Sequence, residues 1–178
     1  ADELLKSLAF KVHPYRYPTI GYMADLETLT PRMIRDFSRT YYTPGNMVGV
    51  LVGDFDPTTA RELIDRYFGD IPAGPVPSGP TEAEPEPEGQ RRGIHRQGEE
   101  RVLMMAFPGL GPHDHRQATA QLLAGVLSHD RTCRLDRRLD FETGVVRRIW
   151  CQYNDGYLRY PGLFSITARI MPEHTNEE

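Results

Sequence analysis

The sequence predicts an α+β fold, a mixed and largely antiparallel sheet with helices packed on one face, preceded by a helix-strand-helix piece. Three observations predict it. After Gln90 the pattern runs strand, strand, helix, helix, strand, strand, an order that lays helices on one face of a sheet. Before Pro72 an apolar, β-branched run lies between two stretches with helical spacing. Between these parts, residues 73–89 hold five prolines, three glycines and four glutamates, too little apolar matter to pack. The expected division is therefore 1–72, an extended and solvated linker at 73–89, and a second unit at 90–178.

Residues 2–8 have weak helical periodicity and no evident cap. In His13-Pro14-Tyr15-Arg16-Tyr17-Pro18 two prolines forbid a regular helix, so an extended loop laid on an apolar surface is expected, with His13 structural. Thr30 followed by Pro31 starts a helix in which Met33, Ile34, Phe37 and Tyr41 form a buried stripe, while Arg32, Arg35, Asp36 and Arg39 face outward. Pro44-Gly45-Asn46 supplies a turn. The run Met47-Val48-Gly49-Val50-Leu51-Val52 is too short for a helix and rich in valine, which predicts a buried strand. Asp56 then caps a helix with Pro57 at its first position, Ala60, Leu63, Ile64, Tyr67 and Phe68 share one face, and Gly69 stands where a C-terminal cap belongs.

Beyond the linker, residues 93–97 read as a short strand and 101–107 as a better one, stopped by Pro108-Gly109. Asp114 is expected to cap a helix running to Leu127, and a shorter charged helix spans about 132–141, ending near Gly144. Residues 145–153 and 163–171 are β-rich. Asn154-Asp155-Gly156 and Tyr160-Pro161-Gly162 between them indicate an antiparallel return.

Composition excludes some function classes. The chain has 178 residues, 39% hydrophobic and 26% charged, which is ordinary for a globular protein that buries roughly 70% of its unfolded surface. With 21 basic against 25 acidic residues there is no global positive field to hold nucleic acid. The longest apolar run falls far below the ~20 residues of a membrane helix. Cys133 and Cys151 match no metal or redox spacing and read as small buried hydrophobes, with a disulfide the lesser alternative.

Candidate ligands are few. His113-x-His115 lies in a polar turn before a helix, without a third partner. Arg131, Arg134, Arg137, Arg138, Arg147 and Arg148 are interspersed with Asp130, Asp136, Asp140 and Glu142, the pattern of a solvated ion-paired face. Glu82, Glu84, Glu86 and Glu88 read as solvated linker before they read as a calcium site.

Several spaced motifs occur in one order: His13-Pro14-Tyr15, Pro18-Thr19-Ile20-Gly21, Leu26 to Thr30, Tyr41-Tyr42-Thr43-Pro44, Val52-Gly53-Asp54-Phe55-Asp56, Pro112-His113-Asp114-His115 and Gly162-Leu163-Phe164-Ser165-Ile166. With them the chain resembles the insulinase/pitrilysin/mitochondrial-processing-peptidase family of zinc metallopeptidases over most of its length. The resemblance implies a metallopeptidase half-unit: a zinc endopeptidase acting on peptides or unfolded polypeptide in a closed chamber, with zinc as cofactor. Its inverted motif is His-x-x-Glu-His on a helix, with two histidine ligands and a glutamate that takes a proton from zinc-bound water. That motif occurs nowhere in the sequence.

The family places it before the His-Pro-Tyr loop, so its ligands are expected upstream, and residues 1–72 read as the end of that zinc domain. The uncapped start and the strand-final end favour this over a complete, catalytically inactive relative that binds peptides or scaffolds a complex. The helix after Asp114 corresponds, by the resemblance, to the zinc-bearing helix, yet Ala118 through Val126 hold no zinc-ligating side chain. No residue of this chain is therefore expected to be a catalytic, cofactor or metal site. The arginine and tyrosine that bind substrate in the family's non-zinc half fall, with Gly144 aligned, on Asp140 and Arg147, so that pair is absent. Implied partners are an upstream zinc domain, a second half-unit or subunit, or another copy of the chain, with no nucleic acid and no membrane span. The resemblance leans towards a bacterial periplasm or cell envelope.

Overall fold

In a computed structural model the described residues are 1–79, 82–96, 98–153 and 158–175. The fold is α+β, and the chain divides into two compact units. One joins Ala1–Pro18 to Glu82–Glu178, and the other is Thr19–Thr81. This differs from the division expected at residues 72 and 90. The first 18 residues belong with the sheet-bearing part of the chain, because Glu84 and Arg91 bond to their backbone.

In the discontinuous unit, helix α1 (Asp2–Ala9) leads to a 3-10 turn, Pro14–Arg16, whose Tyr15 N–H is capped by the His13 ring. The sheet has three strands, β1 (Arg101–Pro108), β2 (Val146–Tyr153) and β3 (Leu163–Ile170). Their order is β1-β3-β2 and both pairings are antiparallel, with Met104 and Trp150 flanking Thr167 on either side. Between β1 and β2 come helix α2 (Gln117–Leu127) and a π-helical segment, Asp136–Glu142.

A register shift between Val146 and Arg148 lets β2 keep Val146 and Ile149 on the same face as Ala168 and Ile170 of β3. These four are buried and form the core, closed over by Leu103, Leu135, Leu139 and Ile166. Leu135 and Leu139 are four residues apart and meet the sheet together. The wide turn is fixed at its end by Thr143, whose N–H and hydroxyl both donate to the Arg138 carbonyl. The other face of the sheet carries Trp150, with the Arg148 and Arg169 guanidiniums 5.5 and 5.9 Å from its ring centroid.

Several elements differ from expectation. Residues 93–96 form no strand, and position 97 lies outside the described residues, as does the Asn154-Asp155-Gly156 turn. α2 begins at Gln117, not at Asp114, whose carboxylate is taken by the Arg116 side chain. The charged helix expected at about 132–141 is present, as the π-helical segment Asp136–Glu142.

The described residues of the unit Thr19–Thr81 form three α-helices, α3 (Met23–Thr28), α4 (Pro31–Tyr41) and α5 (Pro57–Phe68), and a 3-10 turn, Pro44–Asn46. Thr30 caps α4 through the Met33 N–H, and Asp56 caps α5 through the Thr59 N–H at 2.7 Å, as their sequences predict. Gly69 is the C-cap of α5, as expected, with its N–H donating to the Asp65 carbonyl and its φ of −62° in the right-handed helical region. A closer backbone approach occurs at Gly74, φ +67°, where a Cβ would stand 2.5 Å from the Thr43 methyl carbon.

The larger correction concerns residues 47–52. They form no strand, and Val48, Val50 and Val52 are 92%, 82% and 91% exposed. The stripe expected to be buried on α4 is likewise open, with Ile34 58% and Phe37 55% exposed. For residues 47–52 the physical reason is that a strand needs a hydrogen-bonding neighbour, and the described part of this unit has no other strand.

Candidate functional site

Helix α2 follows the first strand and lies against β2. Ala124 is buried, and the buried Ser128 hydroxyl at its end donates to the Ile149 carbonyl at 2.8 Å. The residues available along it are Gln117, Thr119 and Gln121 among alanine, leucine, glycine and valine, none of them a zinc ligand in the usual Cys, His and carboxylate set. They do not fit a catalytic zinc.

The loop entering α2 is tied from several sides. Gly109 N–H donates to the Gly162 carbonyl, and Leu110 N–H donates to the Tyr153 hydroxyl at 3.1 Å. Gln117 Nε2 returns to the Gly111 carbonyl at 2.6 Å. Within it, Arg116 chelates Asp114 through Nε and Nη2 at 3.0 and 2.7 Å. That bonding holds the Asp114 carboxyl well below the usual carboxylate range. His115 comes within 3.7 Å of the same carboxylate, with its side chain 92% exposed, and His113 is exposed. The two histidines do not converge with a third ligand, and among the described residues no three of His, Cys, Asp or Glu form a metal cluster.

Arg137 and Arg138 both bond Glu142 at 3.0 Å, and the hydrogen bonds from Arg138 and then Arg137 lower its carboxyl. Arg131 stands over Phe141, 5.3 Å from its centroid. The arginine group is thus partly an ion-paired face and partly stacked on aromatics. Asp140 lies in the π-helical segment, Gly144 turns with φ +66°, and Arg147 is exposed at the β2 bulge. Cys133 and Cys151 are free and half-buried.

Two features carry little signal in the sequence. In one unit, Leu51, Phe55, Ala60, Leu63 and Ile64 line an open apolar groove of about 390 Å³ beside α5. In the other, Phe10, His13, Tyr15 and Tyr160 form an aromatic knot. The His13 and Tyr15 ring centroids are 4.3 Å apart, and those of His13 and Tyr160 are 5.0 Å apart. His13 is 7% exposed; its Nδ1 accepts from the Tyr15 N–H at 3.2 Å, and Nε2 is buried without a partner. The Tyr15 hydroxyl accepts from the Tyr160 N–H. Beside this knot sits Glu84, indistinguishable in sequence from the other glutamates of its segment.

Comparison with known proteins bears on this arrangement. A family profile described as the peptidase M16 inactive domain matches residues 28–177. The Helicobacter pylori protein named zinc protease PqqE is 31% identical over 94 residues, 51% of this chain and 21% of that protein. The Escherichia coli protein named probable zinc protease PqqL is 37% identical over 68 residues, 36% of this chain and 7% of that one. Matched segments thus cover 21% and 7% of these relatives.

Two solved structures share the fold. A protease from Helicobacter pylori superposes with a TM-score of 0.86 at 21% identity, over 98% of this chain and 43% of that one. A peptidase M16 inactive domain from Pseudomonas fluorescens gives 0.83 at 22% identity, over 96% of this chain and 41% of that one.

Proposed function

The chain belongs to the peptidase M16 inactive-domain family, and on that premise we propose that it is a non-catalytic portion of a zinc metalloendopeptidase. In this reading the parent binds zinc through ligands upstream of residue 1 and cleaves peptides or unfolded polypeptide inside a closed chamber. This chain lends wall and support. The single observation that carries the proposal is α2, which packs on the sheet while offering only Gln117, Thr119 and Gln121 as polar side chains. Activation of water needs a metal held by three protein ligands beside a base, and those residues supply neither. The apolar run 47–52 would gain its missing neighbours from the parent's zinc domain, and a second half-unit would close the chamber. A periplasmic or envelope location accords with the bacterial relatives.

The test compares the two lengths of protein on one quenched peptide. The parent is expected to lose cleavage with a chelator and recover it with zinc, while the 178-residue chain neither cleaves nor retains stoichiometric zinc by metal analysis. Chelator-sensitive cleavage by the chain alone, or a parent indifferent to zinc, would overturn it.

A further inference from the structure

The segment that joins the two units does more than span a gap. Glu84 sets one carboxylate against three successive backbone donors: Lys11 N–H at 2.5 Å, Val12 N–H at 2.9 Å and His13 N–H at 2.8 Å. These partners are 71 to 73 residues away, so no local turn produces the contact. Arg91 acts one step back along the chain, donating to the Leu8 and Ala9 carbonyls at 2.7 and 3.3 Å, groups that α1 leaves without helical partners. Gly93 lies so close that an added Cβ would meet Leu8 Cδ1 at 2.8 Å.

From this geometry we infer that Glu84 is a proton-sensitive latch: ionised, it fastens the Lys11–His13 loop to the segment around it, and protonated, it releases that loop. A neutral carboxyl loses the charge assistance at three donors together and carries a proton that no N–H accepts. The groups facing it are Lys11, Arg91 and His13, with Arg16 bonded to the Lys11 carbonyl and Tyr15 and Tyr160 packed on the His13 ring.

Burial raises the Glu84 carboxyl, but the amides of His13, Lys11 and Val12 and the charge of Arg91 outweigh it and leave it below an ordinary glutamate. A depressed carboxyl stabilises the closed form above its unfolded value, and that contribution is lost as pH falls through the lower folded value. His13 is held below an ordinary histidine by burial, with Glu84 opposing. Its charging, which burial displaces below the range of an ordinary histidine, is the second event that weakens the knot as pH falls.

The test is an NMR titration of the 178-residue chain from pH 7.5 to 3. The Glu84 carboxyl is expected to titrate below an ordinary glutamate, with the Lys11, Val12 and His13 amide shifts following that midpoint. In Glu84→Gln the low-pH transition disappears, and at neutral pH the three amides exchange about tenfold faster, the weight of one charge-assisted hydrogen bond. Amides of β3 serve as the control for folding. The inference is overturned if the three amides follow the His13 midpoint instead, if Glu84 titrates at or above the ordinary value, or if Glu84→Gln leaves both unchanged. Should that variant fail to fold, the titration of the unaltered chain decides alone.

Discussion

Ser128 is 5% exposed and its hydroxyl satisfies the Ile149 carbonyl, so removing the oxygen strands a buried acceptor next to the core. Ser128→Ala is expected to cost about 1–3 kcal/mol, read as a lower denaturant midpoint by the fluorescence of Trp150. An unchanged midpoint would mean that water replaces the hydroxyl. Cys151 gives a second check at this scale. Burial first, then the charges of Asp136 and Cys133, push its thiol up. Alkylation of the folded chain at Cys151 should accordingly be slower than at an unfolded thiol, and its rate should inflect above the pH of an ordinary cysteine. A rate equal to that of the denatured chain would contradict this.

Residues whose role is local were legible in the sequence: Thr30 and Asp56 announce helix starts because a cap acts within three positions. Glu84 was not, because its donors lie more than 70 positions away and three like neighbours surround it in sequence.

At the scale of elements, the strands 101–108, 146–153 and 163–170 and the helices starting at Pro31 and Pro57 follow from period and punctuation. The run 47–52 shows what period leaves out, since apolar residues on both faces specify burial but say nothing of what provides it. Exposed valines beside open backbone donors are a template for association. We expect the 178-residue chain to self-associate with rising concentration in sedimentation velocity, and Val48→Lys with Val50→Lys to keep it monomeric at unchanged helical content by circular dichroism. Equal sedimentation of both forms at all concentrations would show that this run is not the contact. The π-helical segment was illegible for another reason: its charges and the four-residue spacing of Leu135 and Leu139 fit an ordinary helix equally well.

The whole molecule differs most from its linear reading, because compositional contrast marks residues 73–89 as a boundary while contacts assign Ala1–Pro18 to the far side of it. A Glu-specific protease distinguishes the two divisions. Cleavage is expected first after Glu82 or Glu88, since Glu84 and Glu86 precede proline and Glu84 is held by three amides. The two pieces should then co-elute under native conditions and separate only in denaturant, because residues 1–18 remain packed with the sheet-bearing piece. Separation in native buffer would restore the division at residues 72 and 90. The candidate site reads similarly at this scale: that α2 carries no zinc ligand was plain from its composition, whereas the tying of its entry loop to Tyr153 and Gly162 required the sheet.

Synthesis on the ribosome gives the interleaving of the two units a temporal meaning. Lys11 is made 73 residues before the carboxylate that receives its amide. At 5–20 residues per second that is a wait of about 4 to 15 s. During it the unit Thr19–Thr81 is synthesised, while the partners that Ala1–Pro18 finds in Glu82–Glu178 are not yet made. Residues 1–18 are thus among the last parts of this chain to acquire the contacts described here, since Glu84, Arg91 and the sheet all follow them in synthesis.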